Sequence, residues 1–372
     1  MSNPVTYDRN LPYNGLPLLP PSEETVITKE ILVATIKANK ALAELKGLAK
    51  KLPNQSMLVN TISLREAKAS TEIENILTTD NELYKTLSGN EGHLSGNAKE
   101  VLRYRQALWQ GFKDIQAVGD FSIDLIVAIY RAIKEVDDGI RPPQTETRIR
   151  RRGSGNLGGT VIYTPPRGEQ VIREKLDNLI EYLNDDVKYD HDPLIKLAIS
   201  HYQFEAIHPF RDGNGRAGRV LAILLILQKQ LLDVPILYLS AYIIEHKEDY
   251  HDLLNKVTTL GHWKEWILFI LEAVEETATY TILKIEEIDR LFNRTYELVQ
   301  EKLPHIRKET IERIFEQPYT SPKALLDPAI KSVNTAKKYM NQLVDLRILA
   351  PEKIGKEVLY LNVDLLNLLS ET

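Results

Sequence analysis

The stretch LIKLAISHYQFEAIHPFRDGNGRAGRVLAILLILQ, residues 194–228, constrains the fold more than any other. Leu194, Leu197, Ala198, Tyr202 and Ile207 recur at helical steps before the glycines, and a helical pattern resumes after them. A glycine turn therefore joins helix to helix. Gly213, Gly215 and Gly218 also fit G-x-G-x-x-G, the spacing of a dinucleotide-binding turn. That turn has to follow a buried strand. No strand–turn–helix unit surrounds this one, so the Rossmann reading fails on context.

The turn still offers a place for an anion. Gly213, Asn214 and Gly215 precede a helix, whose first N–H groups are free to meet negative charge. Arg216 and Arg219 are three apart and share a helical face. Two fork-shaped donors beside a nest of amides suit a polyphosphate. Asp212 supplies a hard oxygen suited to Mg²⁺, which usually meets one or two carboxylates plus substrate phosphate. His208 can face the same anion from the other end of the loop. The plain alternative is a capped helix with surface arginines and a stray histidine. The clustering of all these groups within 12 residues argues against it.

Composition narrows the class. The chain has 372 residues, enough for two or three domains, and a net charge of -5, which gives no global attraction to nucleic acid. It has no cysteine, so disulfides, zinc–thiolate sites and thiol catalysis are excluded. The N-terminal MSNPVTYDRNLPYNG has no signal-peptide core. The longest apolar runs, such as VLAILLIL, are too short to span a bilayer. The expectation is a cytoplasmic protein without a membrane segment.

Periodicity predicts a mainly α fold. After a proline-rich arm over 1–23, helices are expected over 24–51, 56–77, 98–118, 122–136, 169–184, 193–206, 215–231, 240–256 and 262–301. TETRIRRRGSGNLGGTVIYTPPRG breaks the habit and reads as a β-hairpin ended by Pro165 and Pro166. The last ~65 residues read as helix, helix, longer helix and short hairpin, the order of a winged helix-turn-helix. The expected domains are 1–120, 121–275 and 285–372.

HPFRDGNGRAGR resembles the signature of Fic-domain enzymes, H-P-F-x-[D/E]-G-N-G-R-x-x-R, with every fixed position met. The resemblance extends over nearly the whole chain. It implies a helical core carrying one hairpin and transfer of AMP from ATP to a hydroxyl of a target protein. By the same resemblance His208 is the general base and Asp212 holds Mg²⁺. Gly213, Asn214, Gly215, Arg216, Ala217, Gly218 and Arg219 hold the phosphates, with the Asn214 side chain at the α-phosphate, Arg216 at the β-phosphate and Arg219 at the γ-phosphate. Phe210 anchors the loop. Of Tyr242 and Tyr250, the resemblance favours Tyr250 for the adenine slot. Thr160, Val161, Ile162 and Tyr163 become the flap on which a target docks as an added strand. Arg148, Arg150, Arg151 and Arg152 either attract an acidic target or solvate the flap.

A second short pattern completes the resemblance. Ser70, Glu74 and Asn75 fit [S/T]-x-x-x-E-[G/N], which is similar to the inhibitory helix of autoregulated Fic proteins. Ser70 and Glu74 lie at i and i+4, on one face. Glu74 is expected to form a bidentate pair with Arg219 and so block the γ-phosphate. Other readings remain: AMP removal or transfer of another phosphate group at the same site, and a nucleotide-sensing regulator that binds DNA. The last rests on Lys331, Lys337, Lys338, Arg347, Lys353 and Lys356 of the C-terminal module. Self-modification and a homodimer are further expectations.

Overall fold

Two largely apolar helices, buried on every side, sit at the centre of the molecule. In Pro193–Ile207 only Pro193 and Glu205 escape full burial, and in Asn214–Gln228 only Gly215 and Gln228 do. The computed structural model describes residues 7–51, 55–87, 95–145, 147–151, 159–354 and 357–370. Among them the fold is mainly helical with two small antiparallel sheets.

In chain order, α1 (Glu23–Val26), α2 (Lys29–Lys51), α3 (Gln55–Ile73), α4 (Asp80–Leu87), α5 (Gly96–Val118) and α6 (Ile123–Lys134) precede the hairpin of β1 (Ile149–Arg151) and β2 (Thr160–Tyr163). Next come α7 (Glu169–Asn184), the central pair α8 (Pro193–Ile207) and α9 (Asn214–Gln228), α10 (Leu239–Glu245), α11 (Lys247–Leu260) and α12 (Trp263–Lys302). The C-terminal module holds α13 (Lys308–Phe315), β3 (Tyr319–Thr320), α14 (Val333–Asp345), β4 (Ala350–Ile354), β5 (Glu357–Leu361) and α15 (Val363–Ser370).

Local chemistry sets the ends that matter for the site. Asp192 caps α8 by accepting from the Leu194 N–H, with Pro193 in the first turn. Ser122 caps α6 and Ser95 caps α5 in the same way. α2 turns Ile31, Thr35, Ala38, Leu42, Leu45 and Ala49 inward and packs along α12. α12 is 40 residues long and carries a buried stripe from Trp266 to Val299. It runs unbroken across residues 275–285, between the expected second and third domains.

Four expected elements differ. The helix expected over 24–51 is split, because Thr28 caps a new helix by accepting from the Ile31 N–H. The helix expected over 56–77 stops at Ile73, and Asn75 turns into a left-handed conformation (φ 64°). The helix over 240–256 breaks at His246, whose ring Nδ1 and main-chain N–H both meet the Tyr242 carbonyl. The second helix of the C-terminal module is only a 3₁₀ turn, Pro322–Leu325. Asp327 ends that stretch by accepting from the Ala329 and Ile330 N–H groups, both at 2.7 Å. Tyr319–Thr320 adds a third strand to the C-terminal hairpin, in the order β3-β5-β4. α15 packs on α12.

Trp266 is fully buried where α12 crosses α8, and its indole N–H donates to the Ala198 carbonyl at 2.7 Å. Trp266→Ala is expected to destabilise the chain by about 3–5 kcal/mol. The measurement is a lowered urea midpoint at unchanged slope.

Candidate active site

The turn between α8 and α9 has almost no freedom. α9 closes on α8 at Gly218, where a Cβ would come within 2.5 Å of Glu205 Oε1 and 3.0 Å of Phe204 Cδ1. Gly213, at φ 75°, takes the left-handed conformation that starts α9. Asn214 is buried and its amide is fully used by the loop. Its Oδ1 accepts from the Phe210 N–H and its Nδ2 donates to the Phe210 carbonyl, both at 2.9 Å. The Asn214 side chain, expected at the α-phosphate, staples the turn. Phe210 is buried and stacks on Tyr130 at 4.0 Å, an anchor as expected.

His208 occupies the C-cap of α8 in a left-handed conformation, φ 49° and ψ 59°. Burial and then the Arg141 guanidinium push its imidazole down to about 4, outweighing the Glu205 main chain and Asp212. It is neutral at pH 7. Burial raises Asp212, but Lys134 at 2.6 Å and the Gly213 N–H at 2.7 Å outweigh it and hold the carboxyl below the usual aspartate value.

The N-terminus of α9 already holds a carboxylate, that of Glu74. Its Oε1 accepts from the Arg216 main-chain N–H at 3.1 Å and from Arg219 Nη2 at 3.2 Å, while Oε2 lies 2.7 Å from Arg216 Nε. Arg216 and Arg219 are 1% and 2% exposed, so these are desolvated contacts. Arg219 does not form the expected bidentate pair with Glu74. Ser70 takes most of its fork, through Oγ and the main-chain carbonyl, each at 2.7 Å. Glu74 instead spans both arginines and the helix end. Asn75 makes that position available: its N–H bonds to the Glu72 carbonyl, and the Ile76 N–H to the Thr71 carbonyl. That is a helix stop with a left-handed residue just beyond the end.

A cavity of about 560 Å³ opens over this arrangement, reached by Glu74, Glu205, His208, Asp212, Arg219 and Tyr250. Tyr250 is 2% exposed and shares a 2.9 Å hydrogen bond with His201. Tyr242 is absent from its lining and stacks on His246. Ala217 is buried and faces the core. β1 and β2 pair antiparallel at the rim, with Arg150 opposite Val161 and Arg151 opposite Thr160. Thr160 is exposed, and Val161 and Ile162 are half-buried. The Tyr163 side chain is buried and donates to the Ala206 carbonyl at 2.8 Å, tying the hairpin to α8 where it lines the cavity. Tyr7 donates to the Ile162 carbonyl at 2.9 Å, so the N-terminal arm lies along the same strand. Arg152 and Lys356 lie outside the described residues.

Sequence reading missed four groups. Lys134 sits on Asp212, Glu100 lies 2.5 Å from Arg216 Nη1, and Arg141 binds the His208 carbonyl at 2.9 Å. Burial pushes the fourth, Glu205, up to about 7. Only Glu205 carried a signal, since it precedes His208 by three residues on one helix. Among the described residues no group of three or more His, Cys, Asp or Glu side chains could hold a metal. Asp212 alone fits a hard cation that takes its other oxygens from phosphate.

Fold and loop together define a helical scaffold with an anion seat and a neutral imidazole under a β-hairpin. The chain belongs to the Fic/DOC family. The Fic/DOC family N-terminal model matches residues 32–113, the Fic/DOC family model 120–226, and the C-terminal domain of SoFic-like protein adenylyltransferase 291–365. The protein adenylyltransferase fic-1 of Caenorhabditis elegans is 26% identical over 159 residues, 42% of this chain and 28% of that protein. The protein adenylyltransferase Fic of Nematostella vectensis is 31% identical over 117 residues, 31% of this chain and 25% of that protein. The chain thus matches about a quarter of these relatives' length. The crystal structure of a Fic family protein from Desulfovibrio desulfuricans G20 has the same fold, with a TM-score of 0.57 over 91% of this chain and 97% of that one at 18% identity. Among the described residues no helix is long and apolar enough to cross a membrane.

Two buried imidazoles give a pH signature. Burial, with Arg219, lowers His201 to about 3, and His208 sits at about 4. Below pH 6.5 the unfolded chain binds two protons that the folded chain refuses. Glu205 acts in the opposite sense between about 7 and 4.5, binding one proton only when folded. His191 is lowered with the two imidazoles, and Glu66 and Glu72 are raised with Glu205, so the expectation is placed on His201 alone: it contributes a loss of stability as pH drops from 6.5 to 4.5. Urea midpoints across this window check it: the wild type should lose stability relative to His201→Phe.

Proposed function

We propose that the chain transfers AMP from ATP to a hydroxyl of a target protein, and that Glu74 restrains the reaction. One observation carries this reading: a carboxylate sits on the N-terminus of α9 between two buried arginines, beside a neutral imidazole. The Glu74 carboxylate stands in for a phosphate group. It meets the main-chain N–H and guanidinium donors that an anion would meet there. The relatives' names as protein adenylyltransferases point the same way.

In this reading the target hydroxyl oxygen attacks the α-phosphorus of ATP. The bond from that phosphorus to the bridging oxygen breaks, and pyrophosphate leaves with the electron pair. His208 accepts the hydroxyl proton, a task worth roughly 10²–10⁴-fold. Arg216, Arg219 and the first N–H groups of α9 hold the polyphosphate. Asp212 would hold Mg²⁺, which when bound neutralises phosphate charge. Tyr250 forms part of the wall for the base, and the edge of the hairpin orients the target chain.

AMP removal at the same site is the second reading. Glu74 Oε1 accepts from two donors, whereas Oε2 faces Arg216 Nε as an ion pair and accepts no hydrogen bond among the described residues, so it is open to a water.

The test is mass spectrometry after incubation with ATP and Mg²⁺. Glu74→Gly is expected to raise AMP incorporation about tenfold or more, or about 1.4 kcal/mol of barrier. His208→Ala in the same background should lower it by roughly 10²–10⁴. No AMP-sized mass increase in the Glu74→Gly protein, with release of AMP from a pre-modified target, would reverse the direction.

A further inference from the structure

We propose that Arg141 is a positioning residue for His208: it caps the C-terminus of α8 from outside the helix and fixes the imidazole in register with the hairpin. The proposal rests on the transfer reading only in taking His208 as the base.

The geometry is a convergence of carbonyls. The last carbonyls of an α-helix have no partner within it. Here those of Ile207 and His208 accept from Arg141, at 3.4 Å to Nη2 and 2.9 Å to Nε. The Pro209 carbonyl accepts from the Arg141 main-chain N–H at 2.9 Å. Three consecutive carbonyls of the segment that carries the base are thus held by one residue. A fourth, that of Pro166 just beyond β2, accepts from the same guanidinium. Arg141 is 1% exposed, and among the described residues its side-chain partners are all main-chain carbonyls. A buried guanidinium without an acid is costly to keep, and burial pushes it down to about 10.

Two consequences follow for His208. Its left-handed backbone is unfavourable for a residue with a Cβ and persists only where neighbours over-determine it. Arg141 supplies bonds on both sides of that residue. A helix C-terminus also collects partial negative charge, which favours a protonated imidazole beside it. A fixed cation bound to those carbonyls opposes this. Asp212 and Arg211 line the same cavity as His208 from the following loop, Glu205 and Arg219 from α8 and α9, Glu74 from beyond α3, Arg148 from just before β1, Arg150 from β1 and His251 from α11. Of these groups only Asp212 acts on His208 appreciably, and it favours the proton; Arg141 disfavours it.

The experiment compares Arg141→Gln and Arg141→Lys in the Glu74→Gly background, each checked for folding by circular dichroism. With labelled ATP, kcat is expected to fall about tenfold or more in Arg141→Gln and less in Arg141→Lys. KM for ATP should stay within about twofold, since the anion seat is untouched. Independently, the His208 ring proton resonance is titrated by NMR, assigned by its loss in His208→Ala. Its midpoint is expected to rise by about one unit or more in Arg141→Gln and by less in Arg141→Lys. A folded Arg141→Gln protein with unchanged kcat, or with its His208 midpoint still near 4, overturns the proposal. So does a rise in KM at unchanged kcat. Should Arg141→Gln not fold, Arg141→Lys decides alone: a lowered kcat at unchanged KM supports the proposal, and an unaltered kcat ends it. If no variant transfers AMP at all, the transfer reading fails, and the NMR midpoint still decides the role of Arg141.

Discussion

The close approach of α8 to α9 at Gly218 is the constraint from which the site follows. With no Cβ between them, two helices buried on every side pack at the centre of the molecule. The connection runs only from His208 to Gly213, so the C-terminus of one helix ends beside the N-terminus of the next. The first end carries partial negative charge and the second partial positive charge. An imidazole at the negative end and an anion seat at the positive end are then neighbours by topology. Asn214, bonded twice to Phe210, keeps the turn from relaxing out of that arrangement.

Burying two guanidinium groups creates a standing demand for negative charge. Arg216 and Arg219 are almost wholly removed from water, and an uncompensated buried charge is strongly unfavourable. Glu100 and Ser70 meet part of the demand, and Glu74 meets the rest. In the proposed function, restraint and substrate binding are two ways of satisfying the same electrostatic requirement. Glu74 is mounted on the stop turn of α3 rather than in its middle. A turn beyond a helix end can move without breaking the helix behind it.

What could be read from the sequence was what repeats or clusters locally. Helical spacing exposed most of the elements, and the glycines and arginines of residues 213–219 announced an anion seat because their chemistry lies within two turns. The seat's other partners arrive from distant segments. Glu100, Lys134 and Arg141 join it across 67 or more residues of chain, and such contacts leave no period behind. Short-range errors had a different origin, in side chains that compete with the helix for its own backbone. Thr28 and His246 each bond a main-chain group nearby and break a segment whose apolar spacing continues on both sides.

The helix ends that meet at the site are each capped by a charge from elsewhere in the chain, but the two caps are not alike. Arg141 is sealed in, and its donors reach four main-chain carbonyls in two segments. To withdraw it would be to dismantle the loop that holds His208. The Glu74 side chain is 24% exposed, and it touches side chains and one N–H through a single carboxylate. In the proposed function an incoming phosphate takes over each of those contacts in turn. On that reading the end that must keep one orientation and one protonation state is capped permanently, and the end that must receive different anions is capped by one that can be replaced.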